Sequence, residues 1–154
     1  MHSTLTVTRS IALLLVGLYA GGLLFVVLAP SAGRLPGPAY VRHWQALNTD
    51  YGRVMPPLLL TSVLALIIAT TLSWHRDRLV FVLSAGALVL VVLTIVLTVA
   101  AMDPLNRLAD SWDPDHLPHP WTEVRHRWAA LHLVRTLLAV VAFACLTLTQ
   151  VIDR

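Results

Sequence analysis

Arg125, Trp128, His132 and Arg135 stand at offsets 0, 3, 7 and 10 around the start of the last apolar run of the chain. At about 100° per residue they fall within one narrow arc of a helix. His132 and Arg135 lie inside a stretch apolar enough to cross a membrane, where an ionisable side chain is costly and marks a functional site by default. An imidazole desolvated beside a cation stays neutral and can accept a proton. A guanidinium in the same low-dielectric place holds a fixed positive charge for an anionic substrate or intermediate. Asn48 and Asn106 can hydrogen-bond the same oxygen, which makes proton abstraction with stabilisation of the resulting anion the chemistry this set suits. Simpler readings stand beside it: Arg125 and Trp128 suit a membrane interface, Arg135 can snorkel, and a carbonyl can satisfy His132.

The elements that must carry these residues are set by composition. The chain has 154 residues, 57% hydrophobic and only 12% charged, against about 25% charged in soluble domains. Apolar runs cover residues 11–29, 58–72 (extended by 54–57), 79–102 and 129–152, each near the roughly 20 residues that cross a bilayer core. The reading is an all-α integral membrane four-helix bundle, one domain over 1–154, with spans at about 9–29, 54–74, 79–102 and 124–152. The first run is taken as a span rather than a cleaved leader, because it exceeds the roughly 7–15 apolar residues of such leaders. All eleven basic residues are Arg. Arg9, Arg76, Arg78 and Arg154 are dense in short segments, whereas Arg34, Arg42, Arg53, Arg107, Arg125 and Arg127 are spread through long ones. Density puts both termini of a multi-pass cell-membrane protein in the cytoplasm. The lone Cys145 is read as an inert apolar residue.

Along the chain, Gly17 and Gly21 form a small-xxx-small pattern that permits close helix approach, or packing against a partner or second copy. Pro30, Pro36 and Pro38 with Gly33 and Gly37 then break the helix. Residues 39–53 carry Tyr40, Trp44, Leu47 and Tyr51 at helical spacing and read as an interfacial amphipathic helix between spans 1 and 2. Its aromatics are expected to anchor at the interface, while His43, Gln45 and Asn48 on the other face can cap a cavity. Pro56 and Pro57 are expected to bend the second span at its mouth. The third span reads as scaffold that Asp103-Pro104 ends, after which Asn106 comes to the level of Asn48.

Five of the seven His, His43, His116, His119, His126 and His132, fall on one side of this layout. Copper or iron is the sharp reading, with His43 and His132 the first ligands to test. The spacing does not favour it, since His126 and His132 are six apart and no HxH or HxxxH pair exists. No nucleophile sits near a base in a known pattern, and there is no phosphate loop, paired-Cys motif or basic run. Hydrolysis, nucleotide chemistry and nucleic-acid binding are therefore excluded as leading readings.

Gln45-Ala46-Leu47-Asn48, Val54-Met55-Pro56, Pro104-Leu105-Asn106-Arg107-Leu108, and Trp128 with His132 and Arg135 occur in that order, with Gly21 and Gly22 ahead of them. This set resembles the small four-helix membrane family that includes the fungal anthrone oxygenases. The resemblance implies a helical bundle and insertion of oxygen into an activated polycyclic phenol of polyketide type to give a quinone. It marks Asn48, Asn106, Trp128, His132 and Arg135 as site residues. The expectation is a membrane oxygenase acting with O2 on a lipophilic phenolic substrate. His132 is its base, Arg135, Asn106 and Asn48 stabilise the anion, and Trp128, Trp44, Gln45, His43 and Arg125 form the binding walls. Because an electron-rich anion can react with O2 directly, no cofactor or metal is required. The alternatives are a copper or iron oxidoreductase using His43 and His132, and a non-enzymatic membrane ligand-binding or partner subunit.

Overall fold

The structure, a computed structural model, describes residues 2–29, 31–74 and 77–152, and its regular elements are all helical. Arg76 and Arg154, used above for orientation, and Pro30 lie outside the described residues. Helix α1 spans His2–Leu28, a short 3-10 turn Ala32–Arg34 follows, and α2 runs Gly37–Ser73. Helix α3, Arg78–Leu97, opens on Asp77, whose carboxylate accepts from the Leu79 and Val80 amides at 2.7 and 3.0 Å. It passes through a π-helical turn, Thr98–Met102, into α4, Asp103–Asp110, and α5 occupies Trp121–Ile152. Four stretches, Thr4–Arg34, Gly37–Ser73, Arg78–Asp110 and Trp121–Ile152, are long and apolar enough to cross a membrane.

Small side chains occupy many of the inward positions and many large apolar ones face outward, as expected when lipid rather than water surrounds the bundle. Ala12, Ala69, Ala87, Ala139 and Ala142 are fully buried, while Phe25, Leu60 and Val99 are among the most exposed residues. Buried hydroxyls satisfy themselves on their own helices, Ser62 on Leu58, Ser84 on Val80 and Thr94 on Val91, at 2.6, 2.8 and 2.7 Å. At Gly17 a Cβ would lie 2.9 Å from the Phe143 ring of α5, whereas at Gly21 it would meet nothing within 4 Å. Close approach therefore explains Gly17 and does not explain Gly21.

Two expectations change. Residues 39–53 are not a separate interfacial helix, because α2 continues without interruption through Pro56 and Pro57 for 37 residues, about 55 Å of helix. The prolines remove only the amide bonds to the Gly52 and Arg53 carbonyls, a loss that a packed helix tolerates. Tyr40 and Trp44 are accordingly not interface anchors but buried members of an aromatic cluster with Met102, Leu105 and Trp128. Nor does Asp103-Pro104 end the third helix. The π turn resets the hydrogen-bond register just ahead of it, so Pro104 falls in the first turn of α4, where its missing N–H costs nothing.

Candidate functional site

The bundle leaves a cavity of about 490 Å³ between α1, α2, the α3–α4 rod and α5. One wall is α5, where Trp128, His132 and Arg135 follow one another at single-turn spacing. The Trp128 and His132 rings stack almost parallel, centroids 5.0 Å apart and planes 4° from each other. His132 is 3% exposed. Its Nδ1 lies 2.9 Å from Arg135 Nη2 and its Nε2 3.2 Å from the Leu23 carbonyl of α1. A guanidinium can only donate and a carbonyl can only accept, so the imidazole is the neutral tautomer with its proton on Nε2. Arg135 Nη1 donates to the Thr98 hydroxyl at 3.3 Å, and that hydroxyl donates to the Thr94 carbonyl at 2.7 Å. A single hydrogen-bonded chain thus runs from α1 through α5 to the π turn. Such turns are frequent at functional sites, and this one supplies both Thr98 and Val99 to the cavity.

Arg135 has no carboxylate within ion-pair distance among the described residues. Its Nε is buried without a partner. The acids that line the same cavity, Asp103 and Asp110, sit on α4. Asp103 is paired with Arg107 at 2.6 Å, and Asp110 accepts from Asn48 Nδ2 at 3.0 Å. The cavity is therefore polarised, with carboxylates along α4 and a cation with only neutral partners on α5.

Asn106 joins the two poles. Its Oδ1 accepts from both Trp44 Nε1 at 3.2 Å and Trp128 Nε1 at 2.8 Å. Because indoles only donate, the amide orientation is fixed, and Nδ2 is the group Asn106 has left for a ligand. Trp44 packs against Trp128 and Trp112, centroids 5.2 and 6.0 Å apart. Gln45 does not reach the cavity, since its Nε2 bonds the Ala109 and Trp112 carbonyls at 2.9 and 3.0 Å and clamps α2 to the end of α4.

The four-residue stripe divides. Arg125 lies over the Tyr40 ring, 4.2 Å from its centroid, bonds the Gly33 carbonyl, and faces a second cavity of about 310 Å³ together with His43 and Trp44. Trp128 and His132 line both cavities and form the partition between them. Of the five His considered as ligands only His132 is buried, while His43, His116, His119 and His126 are exposed. No group of three His, Cys, Asp or Glu able to hold a metal occurs among the described residues. His116 instead bonds Asp113 at 2.8 Å, and Arg42 holds Asp115 through two contacts of 2.6 and 2.8 Å, which tie the loop before α5 to α2. The His116 bond holds the Asp113 carboxyl below its ordinary value, and Asp113 in turn raises His116.

Sequence reasoning missed Tyr19, Tyr51 and Thr98, all of which line the larger cavity. Tyr51 donates to the Gly22 carbonyl at 3.1 Å. Tyr19 sits amid an apolar run that reads as lipid-facing filler. The available signal was a phenol placed mid-span, away from the interfaces where Tyr concentrates.

A family model described as "Anthrone oxygenase" matches residues 39–145. The matched region includes Asn48, Asn106, Trp128, His132 and Arg135, and lacks all of α1. No curated protein and no solved structure matches the chain.

Proposed function

The chain belongs to the anthrone oxygenase family, and on that premise we propose a membrane oxygenase that takes a lipophilic aromatic ketone or phenol of anthrone type to a quinone with O2. The observation that carries this reading is Arg135, a cation with only neutral partners on the wall of an otherwise largely apolar cavity. A buried charge left without a counter-ion favours an anionic ligand, and a volume near 490 Å³ suits a compact polycycle.

In the free protein the Nδ1 lone pair of His132 is held by Arg135. When the substrate oxygen draws the guanidinium to itself, that lone pair becomes available to take the acidic ring proton. The enolate that forms lies against Arg135 and compensates the second positive charge on the imidazolium. Proton removal and anion stabilisation are thereby one coupled event. Trp128, stacked on His132, keeps the imidazole plane fixed and presents an aromatic wall. The electron-rich anion then reduces O2 by one electron and the pair recombines as a peroxide, which loses water to give the quinone. Anthrone plus O2 gives anthraquinone plus water, so one oxygen atom stays in the product and the other leaves as water.

Leu60 of α2 and Val99 of the π turn, 67% and 65% exposed, both line the cavity. A lipophilic substrate would pass between them from the lipid side. The test is anthrone turnover by purified protein in detergent, followed by quinone absorbance and O2 uptake. His132→Ala and Arg135→Gln are each expected to lose at least about 100-fold in kcat, the scale of losing a general base or a stabilising donor. Full turnover by folded His132→Ala would sink the base assignment.

A further inference from the structure

The smaller cavity, about 310 Å³, lies at the end of the bundle where α1 connects to α2. It is lined from residues 26–33, from the first turns of α2 and from the first turns of α5. Val27 and Leu133, 37% and 47% exposed, and the exposed Ala129 are part of that lining, so the cavity opens between α1 and α5 toward lipid. Arg125 stands half-buried on its wall, one turn into α5. Its Nη2 donates to the Gly33 carbonyl, and the guanidinium lies 4.2 Å from the Tyr40 ring centroid and 5.9 Å from that of Trp121. These partners carry no charge, and neither does the Tyr40 hydroxyl that also faces the guanidinium. Among the described residues no carboxylate stands within ion-pair distance of Arg125, or of Arg34 next to Gly33. Glu123, the nearest acid in sequence, is exposed and about 200° away around the helix. Arg125 Nε and Nη1 are not among the buried unpaired atoms, so the rest of the guanidinium is accessible.

We propose that this cavity takes an acidic phospholipid, with its phosphate on Arg125 and the start of one acyl chain against Trp44, Leu47 and Trp128. Charge complementarity selects the headgroup, because a cation with only neutral neighbours, where a helix enters the bilayer, is compensated by a net anion. A zwitterionic headgroup brings its own cation and compensates it less. The position of the opening selects a lipid over a soluble anion, since the mouth faces the acyl region and the inner wall is apolar and aromatic. The site is separate from the reaction proposed for the larger cavity, although Trp128 and His132 belong to both walls.

The experiment reconstitutes the full chain in phosphatidylcholine vesicles and reads quenching of tryptophan fluorescence, since Trp44 and Trp128 line the cavity. Phosphatidylglycerol with brominated acyl chains is titrated in, and the same fraction of phosphatidylcholine with the same brominated chains serves as reference. Wild type is expected to prefer phosphatidylglycerol about 5-fold, the ratio that one basic residue near the bilayer surface supports. Arg125→Gln should abolish the preference and Arg125→Lys should keep it. Arg127→Gln, which removes the same charge from an exposed position two residues along α5, should also keep it. Ala129→Phe narrows the cavity mouth without touching the charge and should abolish the preference, which keeps the test decisive if Arg125→Gln does not fold. No preference in wild type, or a preference that survives Arg125→Gln or Ala129→Phe, overturns the proposal. An equal loss in Arg127→Gln means diffuse surface charge, and a loss in Arg125→Lys means that only the hold on Gly33 matters; either result overturns it as well.

Discussion

Replacing Asn106 by Leu removes the acceptor shared by two indoles without changing the volume of the side chain greatly. Trp44 is 2% exposed, so its N–H finds no water once Oδ1 is gone, and a buried unpaired donor costs about 1–3 kcal/mol. Trp128 is 8% exposed and lines both cavities, where water can reach it, so its loss falls at about 1 kcal/mol despite the shorter bond. Asn106→Leu should therefore destabilise by about 2–4 kcal/mol. Asn106→Asp keeps an acceptor for both indoles and should cost less, about 1 kcal/mol, through repulsion from Asp103 and Asp110 on the same helix face. Trp44→Phe removes one of the two donors, so in that background Asn106→Leu should cost about 1–3 kcal/mol less than in wild type. Unfolding in mixed detergent micelles, followed by far-ultraviolet circular dichroism, measures the wild type and all four variants. A cost for Asn106→Leu within about 0.5 kcal/mol of zero, or strict additivity with Trp44→Phe, would refute the shared-acceptor argument.

Narrowing the proposed lipid-side opening with Leu60→Trp or Val99→Trp should raise KM for anthrone several-fold and leave kcat near wild type. Leu14→Trp, at a residue 62% exposed that does not line the cavity, should change neither, and equal effects at all three positions would remove the case for an opening there. The loop clasp makes a pH prediction. His116 is raised above 6.5, so its contribution is fully present below that pH and is lost as pH rises through the raised value. Asp113 is lowered from 3.8, so its contribution is present above that pH and is lost as pH falls through the lowered value, and the clasp holds in the window between. Imidazole titration by NMR should give a His116 midpoint above 6.5 that returns toward it in Asp113→Asn, and an unmoved midpoint contradicts the pairing.

Sequence alone determined the all-helical class and the four stretches that can cross a membrane, because burying backbone polar groups in lipid leaves helices of one apolar length as the solution. It also singled out His132 and Arg135, since an ionisable residue in an apolar run is visible without coordinates. What it did not determine was which neighbours those residues would meet. The periodicity of residues 39–53 is the same for an interfacial helix and for the start of a long one, and only packing against α4 and α5 decided that Tyr40 and Trp44 are buried. The division of the stripe depended on the angular drift of α5, which turns Arg125 to the second cavity and Arg135 to the first. The roles of Asn106 and Gln45 likewise came from partners more than 60 residues away, Trp44 for the one and the Ala109 and Trp112 carbonyls for the other. Tyr19 reads as filler in one dimension and becomes a buried phenol among the residues that line a cavity in three, because which side chains meet at a cavity is a property of the assembled bundle and not of the sequence that encodes it.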